Sequence, residues 1–264
     1  MLPTLLDRLR AAPQRTGAVI VTLYGDSIAP RGGCLSLSDL CAVFGAMGIG
    51  EGVVRTSVSR LAADGWLERT RQGRRSFYRL AQRGLEATEL AAPLIYGPIC
   101  SPQGALTLVL GERGGQMAGQ GILAPGVWVD HTGTPPEDAI TLELGGTPAM
   151  LARMASRAWP LDDLAARYGS FLDAVQPPNP GLIGLEALVA RLLLVHEYRR
   201  VVLRDPRLPR ALLPPNWPGF AARDLCHDAY EALRAESEAW LDQAEAETGR
   251  LPRPNPGRRF TPSR

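Results

Sequence analysis

Residues 51–80 read Glu-Gly-Val-Val-Arg-Thr-Ser-Val-Ser-Arg-Leu-Ala-Ala-Asp-Gly-Trp-Leu-Glu-Arg-Thr-Arg-Gln-Gly-Arg-Arg-Ser-Phe-Tyr-Arg-Leu. The hydrophobic period changes halfway along. Val54, Val58 and Leu61 recur at the spacing of one helical face, as far as the stop at Asp64-Gly65. Trp66–Thr70 and Ser76–Leu80 then read as two strands around the turn Arg71-Gln72-Gly73-Arg74-Arg75. The other face of the helix carries Arg55, Thr56, Ser57, Ser59 and Arg60, short hydroxyls and guanidinium forks of the kind that read base edges and phosphates in a major groove. Six arginines stand between Arg69 and Arg83 with no acid among them, so the hairpin is a cationic point. A polar-faced helix followed at once by an Arg-tipped hairpin is the pattern of a recognition helix and its wing. The tip would lie on the sugar-phosphate backbone or in the adjacent minor groove.

Toward the N-terminus, Val19, Ile20, Leu23 and Tyr24 repeat at helical spacing within Thr16–Arg31, and Gly32-Gly33 stops that helix. Ser36-Leu37-Ser38-Asp39 offers an N-cap, Leu40, Val43 and Phe44 follow as a buried stripe, and Gly45 and Gly48 end a short second helix. Two helices joined by a glycine-containing turn, the second polar outside, read as a helix-turn-helix. Residues 16–98 are therefore expected to form a winged helix-turn-helix that binds double-stranded DNA. Its contacts are expected from Arg55, Thr56, Ser57, Ser59 and Arg60 on the helix and from Arg71, Arg74, Arg75, Ser76 and Tyr78 on the hairpin. Trp66 is expected in the core, and Tyr78 fits either the core or the DNA. Residues 1–15 are read as an N-terminal extension.

A length of 264 residues allows two or three domains, and 45% hydrophobic residues exclude a disordered chain. No apolar run is long enough to span a bilayer and no secretory signal opens the chain, which predicts a cytoplasmic protein with no membrane partner. Cys34, Cys41, Cys100 and Cys226 form no CxxC pair and no metal-ligand spacing, so reduced thiols and no metal are expected. The net charge of +2 says nothing of partners, but the basic excess lies in the first third. All 29 basic side chains are arginine, so each phosphate contact is a planar fork of donors.

Residues 99–150 are Gly-rich with β-like runs at Ala105–Leu110, Val127–Asp130 and Ile140–Leu144, punctuated by Pro125-Gly126 and Pro135-Pro136. Residues 151–250 read as helical, broken at Pro177–Pro180 and Pro206–Pro218, with an amphipathic stretch at Leu185–Leu203. The tail, 251–264, is expected to be disordered. The fold class is α+β and multidomain. Enzymatic motifs are missing. His196-Glu197 is not HExxH because Arg200 stands where the second His is needed, Gly111, Gly114 and Gly115 lead to no P-loop Lys, and no GxSxG occurs, so no cofactor is implied. The alternative is a winged-helix-bearing enzyme, a metal-dependent hydrolase or nuclease. Its only local candidates are Asp130, His131, Glu137 and Asp138 in the central region.

Several runs together resemble the PaaX family of repressors of phenylacetate degradation. They are Val21-Thr22-Leu23-Tyr24-Gly25-Asp26, Gly52–Thr56, Ser59-Arg60-Leu61, Gly65-Trp66-Leu67, Gly73–Leu80, Ile95-Tyr96-Gly97-Pro98 and Ala158-Trp159-Pro160-Leu161 with Tyr168 and Phe171. The series continues with Leu194–Arg200, Arg204–Pro209, Leu212-Leu213-Pro214 and Trp217-Pro218-Gly219. The resemblance implies a winged helix, a central ferredoxin-like dimerisation region over 99–150 and a helical C-terminal domain. It further implies a homodimer on a palindromic operator, repressing an aromatic-acid catabolic operon. An aryl-CoA or acyl-CoA thioester, phenylacetyl-CoA in the named case, would relieve the repression. The middle departs from the pattern: Gly111–Gly121 stands where similar proteins carry a longer Arg- and Leu-rich helix. For an effector of this kind, His196, Arg199 and Arg200 have two readings. They cap and pair at a helix end, or they meet the phosphates of a CoA-like ligand. Trp217 is a core anchor or an apolar wall for an aryl group.

Overall fold

The computed structural model describes residues 1–11, 15–100, 106–111, 119–133, 135, 137–175, 181–254 and 259–260. The chain begins with helix α1 (Leu2–Ala11) and helix α2 (Thr16–Leu23), which widens into a π turn at Tyr24–Ile28 and a 3-10 turn at Ala29–Arg31. Gly32 and Gly33 stop it with φ of 95° and 80°, a conformation that costs a side-chain-bearing residue about 1–2 kcal/mol. Strand β1 (Cys34–Ser36) leads into α3 (Leu37–Ala46), whose cap is the Ser36 hydroxyl accepting the Asp39 N–H at 3.0 Å. Then come α4 (Glu51–Ala63), β2 (Leu67–Gln72), β3 (Arg75–Leu80) and α5 (Gln82–Tyr96). On α4 the expected stripe is inside: Val54 and Val58 are buried and Leu61 half-buried. The three strands form an antiparallel sheet in the order β1-β3-β2.

A four-stranded antiparallel sheet follows, from β4 (Leu106–Leu110), β5 (Gln120–Ala124), β6 (Val127–Asp130) and β7 (Ile140–Leu144), in the order β5-β6-β4-β7. Strand β5 was not among the expected β runs. Helices α6 (Pro148–Ala158), α7 (Leu161–Ala174), α8 (Gly184–Val202) and α9 (Pro218–Leu241) complete the chain with a small hairpin, β8 (Glu245–Ala246) and β9 (Gly249–Arg250). Mixed helix and sheet places the protein in the α+β class, as expected. Among the described residues, no helix is long and apolar enough to cross a membrane.

Helix α8 is the hub. It touches α1, α2, α3, α5, α7 and α9. Every residue from Ala187 to His196 is buried, so the stretch read as amphipathic is instead enclosed all round. The reason lies at the N-terminus, where the segment read as an extension is a helix laid on α8, tied by Arg8 to the Ser170 carbonyl at 2.9 Å. The disordered tail also needs correcting at its described positions. Arg259 donates to the Gly25 and Asp26 carbonyls of the π turn, the latter at 2.8 Å. Phe260 is buried edge-on against Tyr96 at 5.1 Å and Tyr230 at 5.4 Å. The widened turn frees carbonyls that need donors, and one aromatic ring anchors the segment supplying them. Tail residues 255–258 and 261–264 lie outside the described residues, as do Ala105, the Gly-rich stretch 112–118, Pro136 and the break at 177–180.

Candidate nucleic-acid interface

Helix α4 is 13 residues long, about 20 Å at 1.5 Å per residue. With Val54 and Val58 inside, Arg55, Thr56, Ser59 and Arg60 face solvent and Ser57 lies half-buried at the edge. Arg55 is held along the helix by Glu51, Nε to carboxylate 3.0 Å, and the Thr56 hydroxyl donates back to the Gly52 carbonyl at 2.9 Å. Arg60 has no carboxylate partner among the described residues. Sequence reasoning missed two neighbours. Val53, 52% exposed, stands out of the buried stripe on the same face. Arg15, just before α2, lines a groove with Arg60, Thr56 and Ser57. The signal for Arg15 was a cation immediately ahead of α2.

In the hairpin, Arg71 and Arg74 stand free in solvent, while Arg69 donates to the Ser76 hydroxyl at 2.7 Å. Arg75 is exposed but engaged: it pairs with Glu245 of the β8–β9 hairpin at 2.9 Å, and Arg79 pairs with Glu247 at 2.6 Å. The Glu245 N–H is itself held by the Asp39 carboxylate at 2.7 Å. Tyr78 is not at the surface. It is 3% exposed, opposite Leu35 on one side and Arg69 on the other, and its carbonyl accepts the Tyr24 hydroxyl at 3.0 Å. The physical reason is β1, a three-residue strand with no readable alternation, which makes β3 the central strand and turns Tyr78 inward. Trp66 is half-buried with the Arg83 guanidinium 5.1 Å from its ring centre.

Behind this face, the π turn docks on α8 and α9 through charge. The Asp26 carboxylate accepts from Arg191 Nε at 2.9 Å, from the Ser27 hydroxyl at 2.8 Å and from the Tyr96 hydroxyl at 2.6 Å. Burial pushes the Asp26 pKa up, but Arg191, Arg259 and these hydroxyls overrule it and hold the carboxyl below its ordinary range. Arg191 also reaches Glu238 at 2.5 Å and lies over the Tyr230 ring, and Arg31 bonds the same Glu238 at 2.9 Å.

The four residues expected at an effector do not assemble. His196 Nδ1 meets the Thr22 hydroxyl at 2.9 Å, and Arg199 meets the same hydroxyl at 2.6 Å. Burial, helped by the charges of Arg199 and Arg200, pushes the His196 pKa down to about 3, so the ring is neutral. Burial also lowers the Arg199 pKa. Arg200 is exposed and pairs with Glu197 at 3.0 Å. Trp217 packs edge-on against Tyr168 at 5.8 Å as a core residue. The residues of the enzymatic alternative have structural partners. Asp130 caps a turn through Thr132 N–H at 2.7 Å and Gly133 N–H at 2.9 Å, and His131 Nε2 meets the Pro206 carbonyl at 2.6 Å. Glu137 and Asp138 are exposed, and no group of three potential metal ligands comes together among the described residues.

Known proteins resemble this chain along most of its length. Among solved structures, the uncharacterized protein Rv0674 from Mycobacterium tuberculosis superposes with a TM-score of 0.57 over 86% of this chain and 98% of that one. At 22% identity, this likeness shows the shared fold alone. The transcriptional repressor PaaX of Escherichia coli K12 is 34% identical over 93% of this chain and 89% of its own length. Residues 15–84 match the family described as PaaX-like protein, and residues 159–243 match the PaaX-like protein C-terminal domain. With both matches in order and the relative aligned nearly end to end, the chain belongs to the PaaX family.

Proposed function

We propose that this protein is a transcription repressor that binds DNA through a winged helix-turn-helix, with α4 as recognition helix and β2–β3 as wing. The observation that carries the reading is the exposed face of Arg55, Thr56, Ser59 and Arg60 beside the free guanidinium groups of Arg71 and Arg74, in a chain 34% identical to a transcriptional repressor. Ser57 and Ser76 sit at the margin of that surface, and Arg75 joins it when it leaves Glu245. Tyr78 supports the wing from inside.

The layout proposed is a DNA-binding unit over 16–98, a central sheet over 99–150 and a helical unit over 151–250. Numbered by itself, the central sheet has the order 2-3-1-4, that of a ferredoxin-like sheet, although no helix covers its crossovers among the described residues. Its edge strand β7 exposes Ile140 and Leu142, which suits pairing in a homodimer on an operator with two-fold-related half-sites. The protein is a regulator and not an enzyme. It works inside the cell on an aromatic-acid catabolic operon and is released by an aryl-CoA thioester.

The test is a DNA-binding titration with the chain's own upstream region, with and without phenylacetyl-CoA. Specific binding weakened by Arg60→Ala is expected; equal affinity for upstream and unrelated DNA at every salt concentration would overturn the reading. Loss of the thioester response alone would remove only the effector clause.

A further inference from the structure

Between the DNA-binding unit and the hub helix lies a cleft with about 460 Å3 of atom-free space, its open mouth included. Its lining is mainly apolar, from Val21 of α2, Trp66, Ala91 and Ile95 of α5 and Val195 of α8. Asp26 also lines it, but its carboxylate is engaged by Arg191 at 2.9 Å. We propose that this cleft is the effector site, taking a compact apolar carboxylic acid or the acyl end of its thioester, with the Arg199 guanidinium as the anchor for its oxygen. The proposal rests on the reading of the chain as an effector-released repressor and gives that effector a place and a chemistry.

Three features carry it. Arg199 lines the cleft with a guanidinium that meets only neutral groups, the Thr22 hydroxyl at 2.6 Å and the Ala18 carbonyl at 3.4 Å. No carboxylate pairs with it among the described residues, whereas Arg31 and Arg191 nearby both have one. A half-buried cation with donors to spare gains most from an anion or a strong acceptor. The floor is the second feature. The π turn brings Gly25 so close to α5 that a Cβ there would lie 3.0 Å from the Thr88 methyl, so a missing side chain sets the depth of the cleft. Such turns inside helices recur at functional sites. The third is topology. One wall comes from α2, which packs against the recognition helix, and from α5, and the other belongs to α8. A ligand that favours one spacing of these walls shifts the DNA-binding unit relative to the rest of the chain, because differential affinity for two arrangements is what moves an equilibrium. Trp66 thereby takes the aryl-facing place that the sequence offered to Trp217, and Arg199 alone of the four expected effector residues lines the cleft.

The experiment is calorimetric titration of the full-length wild type, Arg199→Gln and Ala91→Leu with phenylacetate, hexanoate and phenylacetyl-CoA, paired with ligand-free operator binding. Ala91→Leu fills the cleft without touching the cation, so it keeps the test sound if Arg199→Gln folds poorly. The expected result is about tenfold or greater loss of affinity in both variants for whichever probe binds the wild type, with ligand-free DNA affinity kept within about threefold. Binding of the free acids assigns Arg199 to a carboxylate; binding of the thioester alone assigns it to the acyl oxygen. If a probe binds the wild type and releases DNA, and both variants bind it equally well, the effector reading stands and the cleft is overturned. If no probe binds the wild type, both fall, and the DNA-binding result remains separate.

Discussion

On α4 and the wing, Arg60, Arg71 and Arg74 stand in solvent with no carboxylate against them among the described residues, whereas Arg31 and Arg191, at 1% and 2% side-chain exposure, sit among Asp26, Glu238 and Asp242. The side chain is the same and the chain uses no other strong base, so the difference lies in what surrounds each guanidinium. A hydrated, unpaired arginine keeps its whole fork available for phosphate and base edges, and its loss leaves the fold intact. A buried arginine matched to two carboxylates has been desolvated together with them, and its loss leaves those charges buried alone. The two regions should therefore answer mutation in opposite ways, one in DNA affinity and the other in stability.

The largest separation is expected at Arg191. Arg191→Ala removes the ion-pair partner of Asp26 and one of two arginines on Glu238, and should lower unfolding free energy by about 3–5 kcal/mol in urea titration. A loss below about 1 kcal/mol would erase the distinction between the regions. His196 gives the next largest effect, through pH. Its folded pKa of about 3 lies below the ordinary value of 6.5, so the unfolded chain binds one more proton between those limits. That contribution to stability is complete above pH 6.5 and is lost as pH falls, by about 1.4 kcal/mol per pH unit between pH 6 and 4. Asp26 acts in a different window: its pKa is held low, so its contribution fades only as pH drops below the ordinary carboxylate range. His196→Gln should flatten the slope between pH 6 and 4 and leave the acid-most limb in place; an unchanged slope would assign it elsewhere.

Much of this contrast was legible in the sequence on the exposed side and little on the buried side. The apolar spacing of Val54 and Val58 fixed which face of α4 is outside, so Arg55, Thr56, Ser59 and Arg60 followed from local periodicity. Tyr78 did not follow, because its burial depends on β1, three residues whose strand identity comes entirely from pairing with β3. The same holds for α8. The stretch Leu185–Leu203 looked amphipathic, but α1, some 180 residues earlier, together with α2, α3 and α9, encloses Ala187–His196 all round. The partners of Arg191 lie 165 residues before it and 47 after it, and no local rule pairs them. Arg259 and Phe260 looked like tail composition, and only the free carbonyls of a π turn that the sequence does not announce give them a role.

On the exposed side, Arg60→Ala should weaken specific DNA binding by about 1–3 kcal/mol for each bidentate hydrogen-bonded pairing with a base that it removes, while shifting the urea midpoint little. Replacing Arg71 and Arg74 together should weaken binding to all sequences alike and lower the salt dependence by about one counterion per arginine. If Arg71→Ala/Arg74→Ala changed sequence preference and left the salt slope alone, the hairpin would be reading bases and not positioning the backbone.

The smallest effect lies where the two regions touch. Glu245 and Glu247 of the C-terminal hairpin occupy Arg75 and Arg79 of β3 as a phosphate would, so in the proposed complex DNA would have to displace them before those arginines could meet its backbone. The Arg75–Glu245 pair is exposed and the Arg79–Glu247 pair half-exposed, and ion pairs reached by solvent contribute about 0–1 kcal/mol. Their removal should therefore leave stability nearly unchanged. Glu245→Gln/Glu247→Gln should instead tighten binding to any DNA by up to about fivefold at low salt and steepen its salt dependence, because two guanidinium groups enter the complex already free. The same double variant combined with Arg75→Ala should lose most of that gain. An affinity gain that survived Arg75→Ala would place the effect in overall charge, and no gain at all would mean that Arg75, even when freed, makes no contact with DNA. In either case the boundary between free and matched arginines would run between Arg74 and Arg75, inside the wing itself.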